Sequence, residues 1–515
     1  MTEAVTQLVC NNFGGIKTKN AIFSADIITA QDMQNVELFY SGTNGGVGIR
    51  TAKGNLSICD TLKNQEKIIN IFESVQNGTT YMFVHTETST IGKFYLYNGE
   101  TLTLKKTNLT LTGNSNGFDV AQGWSDLFFF TNGVEMFTIE LNYQTTGNQE
   151  IVTFDSVVDK DNRQVVGLGA CLFQGRLWIF KNNILWYSMV ADIYDFSTSD
   201  EEWITSAGYI ETLKNITAIH EYLNSLAIFY ADSSELLSIS NGALSRSNES
   251  PGGCAGVNAL VFHDTNLYFY DDTKKAVFSF AQIVTGEKAL GENVATEIQD
   301  LLSEIDYTQL NKIKTVSVFI EDRNEIWWLI PTTDENYSTV LIFDYLKNAW
   351  IKRKEQKINS IRVIGNYLYS AGNDGTILRE YTGKDFNGKF IQHYYNCSPL
   401  NLGSMNTLKV FMFPPRVWLG NSDTNKFYVK YTKDFNIFRT PKTKLIKTKY
   451  KNILEWNDDK TSWNESYWLT KNSKATGKFP SASFKVLEIS IYTDSLEQDF
   501  CIKNLEFSKI KVKQV

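Results

Sequence analysis

Leu177-Trp178-Ile179-Phe180-Lys181-Asn182-Asn183-Ile184-Leu185-Trp186-Tyr187 is an apolar run, a tight polar turn and a second apolar run. Read as two short strands about a turn, it is one copy of a pattern that recurs through most of the chain. The other copies pair 81–84 with 94–97, 127–130 with 136–137, 226–229 with 236–239, 267–270 with 277–280, 326–329 with 341–343, and 367–369 with 377–378. Their starts are separated by 46, 50, 49, 41, 59 and 41 residues. A period near 40 to 50 with about four strands per unit is the signature of a β-propeller blade. Blades bury both faces, which explains strands that are nearly continuously apolar instead of alternating. The 69 aromatics among 515 residues, 13% of the chain, are therefore expected mainly in blade cores.

The one long step holds Val294, Ile298, Leu301, Leu302 and Ile305 at helical spacing, so a helical insertion is expected near 291–305. The last blade needs a strand from elsewhere to leave no open edge, and Val36–Tyr40 or 47–49 are the candidates. The expected fold class is all-β: a β-propeller of about seven blades with a C-terminal antiparallel β-sandwich-like domain. Residues 1–60 form the N-terminal segment closing the propeller, 61–404 the propeller, and 405–515 a basic β-domain whose strands alternate more strictly. Pro414-Pro415 marks where that domain begins.

The net charge of −7 conceals a division. The last 111 residues carry 20 basic against 11 acidic residues, and the first 404 carry 30 against 46. Such asymmetry points to two surfaces with different partners. Its strongest feature is the run Lys426, Lys430, Lys433, Arg439, Lys442, Lys444, Lys447, Lys449 and Lys451. These residues are the candidate contacts to phosphate backbones or an acidic protein. The plainer alternative is a set of strand edges on which lysine discourages aggregation.

Signatures of chemistry are sparse. The four histidines, His85, His220, His263 and His393, fall in different units away from metal-ligand spacing and are expected at surfaces or rims. The six cysteines form no CxxC pair and are expected as buried free thiols. GxSxG, HExxH and GxxxxGK[ST] motifs do not occur. Asn373-Asp374-Gly375-Thr376 reads as a hairpin turn, and Asp159-Lys160-Asp161-Asn162 as a solvated turn instead of a calcium loop. No catalytic residue, cofactor or metal is expected. No apolar stretch approaches the roughly 18 residues of a membrane span, and the opening residues carry no basic signal-peptide region.

Several segments carry a resemblance. Phe13-Gly14-Gly15-Ile16-Lys17-Thr18-Lys19-Asn20, Ala30-Gln31-Asp32-Met33-Gln34-Asn35-Val36 and Gly45-Gly46-Val47-Gly48-Ile49-Arg50 resemble the opening of tail nozzle (packaged-DNA stabilisation) proteins of short-tailed bacteriophages. The resemblance continues in Leu185-Trp186-Tyr187-Ser188 with Asp192-Ile193-Tyr194-Asp195-Phe196, where Ile193 stands in place of the usual proline. It returns at Asn324-Glu325-Ile326-Trp327-Trp328-Leu329-Ile330-Pro331 with Phe343-Asp344-Tyr345-Leu346-Lys347-Asn348-Ala349-Trp350, and at Gly477-Lys478-Phe479 with Phe484 to Ile491.

It implies a structural virion protein without enzymatic activity, assembled in the host cytoplasm into a homo-oligomeric, usually hexameric, ring. Such a nozzle lies below portal and adaptor, contacts other tail proteins, and retains packaged double-stranded DNA before forming its exit channel. On this view an acidic propeller lining the channel would not hold DNA, while the basic domain docks on an acidic neighbour. The alternatives are a carbohydrate-binding or glycoside-hydrolysing propeller, which assembles carboxylates from several blades, and a propeller scaffold for protein interactions. The recurrent Trp-Asp or Gly-His blade signature of many scaffolds is missing.

Overall fold

The computed structural model describes residues 5–514 apart from 11, 19–26, 42–45, 124, 143–149, 199–205, 241–242, 283–287, 321–322, 401–405, 412–415, 421–424, 436–441, 448–472 and 477–482. The fold is all-β, with a few short helical turns. Two compact units divide it: Leu56–Val340 with Glu355–Glu380, and Met1–Asn55 with Leu341–Lys354 and Tyr381–Val515.

Among the described residues, seven antiparallel sheets follow one another along the chain. Their first strands are Lys67–Gln76, Asn116–Gln122, Gly169–Phe173, Ala218–Tyr222, Leu260–His263, Lys314–Ile320 and Ile358–Ile364. Each expected hairpin forms the second and third strands of one sheet, as in Arg176–Lys181 with Ile184–Tyr187 and Tyr367–Gly372 with Ile377–Glu380. Local sequence makes these hairpins. Asn182 takes φ +54° between two apolar runs, a conformation asparagine tolerates better than most residues. The strands are apolar on both faces because both are covered: Phe128, Phe129 and Phe130 are all fully buried. Phe128 and Phe130 pack with the first sheet's Phe72, Phe83 and Phe94, while Phe129 joins the third sheet's Leu177 and Ile179.

First strands of successive sheets pack on one another from the first sheet to the fourth and from the fifth to the seventh. The seventh packs on the first, where Ser360 Oγ donates to Asn70 Oδ1 at 2.5 Å and Asn359 Nδ2 donates to Ile68 O at 2.8 Å. The fourth strand of the seventh sheet is Asn55–Cys59. It lies in the expected 1–60 segment, but the two strands singled out there pair elsewhere. Val36–Tyr40 pairs with Val47–Thr51, which continues onto Cys501–Gln514. The helical insertion is shorter than its spacing implied. Lys288–Asn293 remains a strand, followed by the turns Thr296–Ile298, Gln299–Leu302 and Tyr307–Lys312. Its apolar residues Ile298, Leu301, Leu302 and Ile305 are nonetheless buried. Ala295 and Ile298, at the N-caps, offer no side-chain acceptor that would extend the first turns.

The other unit draws two sheets from both ends of the chain. One centres on Cys501–Gln514, which pairs with Val5–Cys10, Thr407–Phe411, Arg416–Leu419 and Val47–Thr51. The other runs Asn12–Ile16, Ile27–Gln34, Tyr394–Cys397, Leu487–Tyr492, Lys426–Lys433 and Lys442–Lys447. The N-terminal motif has a packing reason here. A Cβ on Gly15 would stand 2.5 Å from Trp350 O, so only glycine permits this backbone approach. Tyr395 OH donates to Gly14 O at 2.9 Å and its ring meets Phe13 edge-on. Pro414-Pro415 and Gly477-Lys478-Phe479 lie outside the described residues.

Candidate functional site

The alternation of a β-strand turns every second residue of the seven first strands the same way. All seven line one cavity of about 500 Å³. Most of its wall is apolar or neutral, including Phe118, Leu172, Val261 and Val316. Its charges are Glu73, Glu221 and Arg362, two carboxylates against one guanidinium. Arg362 has its pKa lowered by burial, partly offset by Glu73. His220 Nδ1 lies 2.5 Å from Glu221 O, and burial lowers the pKa of its ring. Burial also pushes the Cys171 thiol up, leaving it un-ionised near neutrality. Charged residues inside otherwise apolar first strands, as in Ile71-Phe72-Glu73 and Ile219-His220-Glu221, were the available sequence signal for this wall.

The lysine run does not form one stripe. Lys426–Lys433 pairs antiparallel with Lys442–Lys447 and with Leu487–Tyr492. Lys426 lies opposite Lys447, and Lys430 opposite Thr443, on the face away from buried Phe427, Val429 and Tyr431. Lys444 lies opposite Val429 and Lys442 opposite Tyr431, so the pleat assigns these two to the other face. Lys442 and Lys447 are exposed, whereas Lys426, Lys430, Lys433 and Lys444 are half-buried. Lys426 reaches exposed Glu497 at 3.6 Å. Arg439, Lys449 and Lys451 lie outside the described residues.

Two expectations are corrected. The histidines are not surface groups: His85, His263 and His393 are buried, and His220 is half-buried. Each buried ring finds a hydroxyl from a distant segment, namely Ser115, Ser317 and Thr493. The second correction concerns Asp159, whose turn is not simply solvated. Its carboxylate is buried and accepts from the N–H groups of Asp161 and Arg163, from Trp186 Nε1 at 3.0 Å and from Arg163 Nε at 2.8 Å. Burial alone would raise its pKa, but these donors outweigh that effect and lower it. Asn373–Thr376 does form the expected hairpin turn, with Gly375 at φ +86°. Cys59, Cys254, Cys397 and Cys501 are buried free thiols, and Cys171 is a half-buried one.

The buried histidines give the protein an acid limit. Burial, aided by Lys314, lowers His85 to about 3, and burial with Arg353 lowers His393 to about 4. Unfolded histidine protonates near 6.5, so the unfolded chain takes up protons first as pH falls. Stability from these rings is complete above about pH 6.5 and is lost below it, at up to ~1.4 kcal/mol per pH unit per ring. Urea midpoints measured from pH 7.5 to 5 should fall, and His85→Gln should flatten that slope.

No family model matches the chain, and no curated protein matches it. Among solved structures it is similar to a functionally unknown protein from Desulfotomaculum acetoxidans DSM 771, at 10% identity and a TM-score of 0.32, over 58% of this chain and 89% of that one. A likeness at that score carries no argument. Among the described residues, no helix is long and apolar enough to cross a membrane, and no three His, Cys, Asp or Glu residues are grouped to hold a metal.

Proposed function

We propose that the Leu56–Val340 and Glu355–Glu380 unit is a seven-bladed β-propeller closed by Asn55–Cys59, and that the chain builds a ring in the tail nozzle of a short-tailed bacteriophage. The observation that carries the propeller is the sharing of one cavity by the first strands of all seven sheets. The nozzle reading rests on the sequence motifs, and their packing supports it. Gly15 against Trp350 and Ile193 in the core are structural positions, as expected of motifs that encode architecture and not a reaction. In this role a rigid, aromatic-packed subunit bears load below the portal and adaptor, retains packaged DNA and lines its exit path. The basic C-terminal segment docks on an acidic neighbour.

Light scattering or mass photometry of the purified protein, alone and mixed with portal and adaptor, tests this. A closed ring, six copies in the expected case, supports the reading, and a monomer in every mixture overturns it. Glu73 and Glu221 on the cavity wall favour a sugar-processing propeller as the second reading. Glycan hydrolysis by the monomer would establish it in place of the first.

A further inference from the structure

A second cavity, of about 120 Å³, is formed by residues of the first, sixth and seventh sheets and of the turn Tyr307–Lys312. Lys67, Lys312, Lys314 and Lys357 line it, and no carboxylate is among its lining residues. Lys314 is 5% exposed, and among the described residues its Nζ has no hydrogen-bond partner. The Thr332 hydroxyl in the same wall is likewise buried with no partner among the described residues. Lys312 donates to Gln309 Oε1, and Lys357 donates to Asp334 O at 2.5 Å. Both acceptors are neutral and satisfy donors only, although the carboxylates of Asp334 and Glu335 partly offset the charge of Lys357. A buried ammonium with neither counter-charge nor acceptor is unfavourable in the protein alone.

We propose that this cavity binds a phosphate-class oxyanion through the Lys314 ammonium and the Thr332 hydroxyl, with Lys67, Lys312 and Lys357 supplying further positive charge. The volume admits one tetrahedral oxyanion with little else, since drug-sized ligands occupy roughly 300 Å³ or more. Water also fits, at about 30 Å³ per molecule, but leaves the Lys314 charge without a counter-charge, whereas Glu87 acts on Lys67 and Asp334 and Glu335 act on Lys357. The electrostatics agree with the geometry. Burial and then Arg362 lower the pKa of Lys314 to about 8, while burial and then Lys312 lower that of Lys67 against a smaller opposing pull from Glu87. An anion reverses the charge repulsion and supplies the missing acceptor.

The test is independent of the nozzle reading. Inorganic phosphate is titrated into the full-length protein in chloride buffer at constant ionic strength, followed by calorimetry and by thermal melting. Saturable binding with a rise in Tm is expected, as for any ligand that binds only the folded state. Lys314→Met should weaken binding at least tenfold while melting no lower than wild type in chloride, because the uncompensated charge is gone. Should Lys314→Met not fold, Lys357→Met serves in its place, with a smaller loss of affinity expected. Glycerol 3-phosphate binding more tightly than phosphate would assign the site to a phosphorylated molecule, and otherwise to the free ion, with either outcome supporting the site. Phosphate acting no differently from chloride, or undiminished binding by both folded variants, would overturn the proposal.

Discussion

Phe94→Ala is expected to lower stability by about 3–5 kcal/mol, read as a drop in the denaturant midpoint. Phe94 is fully buried where the first and second sheets meet. Its ring centroid lies 5.4 Å from Phe83, 4.7 Å from Phe130 and 5.4 Å from Phe137, with Phe128 at 6.0 Å. Truncation loses the transfer free energy of the ring and leaves a cavity whose walls are themselves large and interlocked, so little collapse can follow. Aromatic pair terms of about 0.5–1.5 kcal/mol each are lost as well, though not additively. Leu104→Ala on the neighbouring strand is the control. Leu104 is 50% exposed, so its replacement should stay within about 0.5 kcal/mol. Equal effects at the two positions would show that the aromatic excess is not what holds adjacent sheets together.

Phe94 also shows what the sequence made legible. Each of the seven hairpins is contiguous, with its strands a few residues apart and its turn spelled by polar residues, so both strands and their pairing could be read locally. Partners remote in sequence could not. Val5–Cys10 pairs with Cys501–Gln514, and periodicity carries no information about which strand lies opposite. The strand completing the seventh sheet, Asn-Leu-Ser-Ile-Cys at Asn55–Cys59, is less apolar than Val36–Tyr40, and so the more apolar segment looked the better candidate. The histidines read as surface groups because polar type was the only local guide, whereas the hydroxyls that admit them to the interior lie 30 to 100 residues away. In the lysine run, the pleat divides what linear order presents as one basic stripe. Ile193, which departs from the proline of the related motif, donates its N–H to Gln122 Oε1 at 2.9 Å, a bond proline cannot make. Local sequence flagged the departure, and only the fold supplies its compensation.

The proposed closure of the seven-sheet unit can be tested at a single glycine. Gly375 has φ +86°, and a Cβ there would stand 2.2 Å from Leu62 O and 2.7 Å from Glu66 O. Both atoms are backbone, so no side-chain rotation relieves the clash. The loop at 62–66 would have to leave the turn of the seventh sheet, breaking the bond from Asn64 N to Asp374 O at 2.6 Å. Glu66 in that loop also accepts from Thr86, Lys93 and Tyr95 of the first sheet, so the displacement would propagate into a charged network. Gly375→Ala should therefore cost more than about 3 kcal/mol, combining left-handed strain of roughly 1–2 kcal/mol with the lost contact. Gly365→Ala separates the two contributions. Gly365 has φ +57° in the same sheet, but its Cβ direction is open to 4 Å, so only the conformational cost of roughly 1 kcal/mol is expected. Denaturant midpoints of the two variants measured side by side would read the difference as the strength of the junction between the beginning and end of the seven-sheet array. Equal costs would mean that the 62–66 loop contributes nothing to holding the array together, and closure would then have to rest on Asn55–Cys59, on the bonds of Ser360 and Asn359 to Asn70 and Ile68, and on the buried side chains the two sheets share.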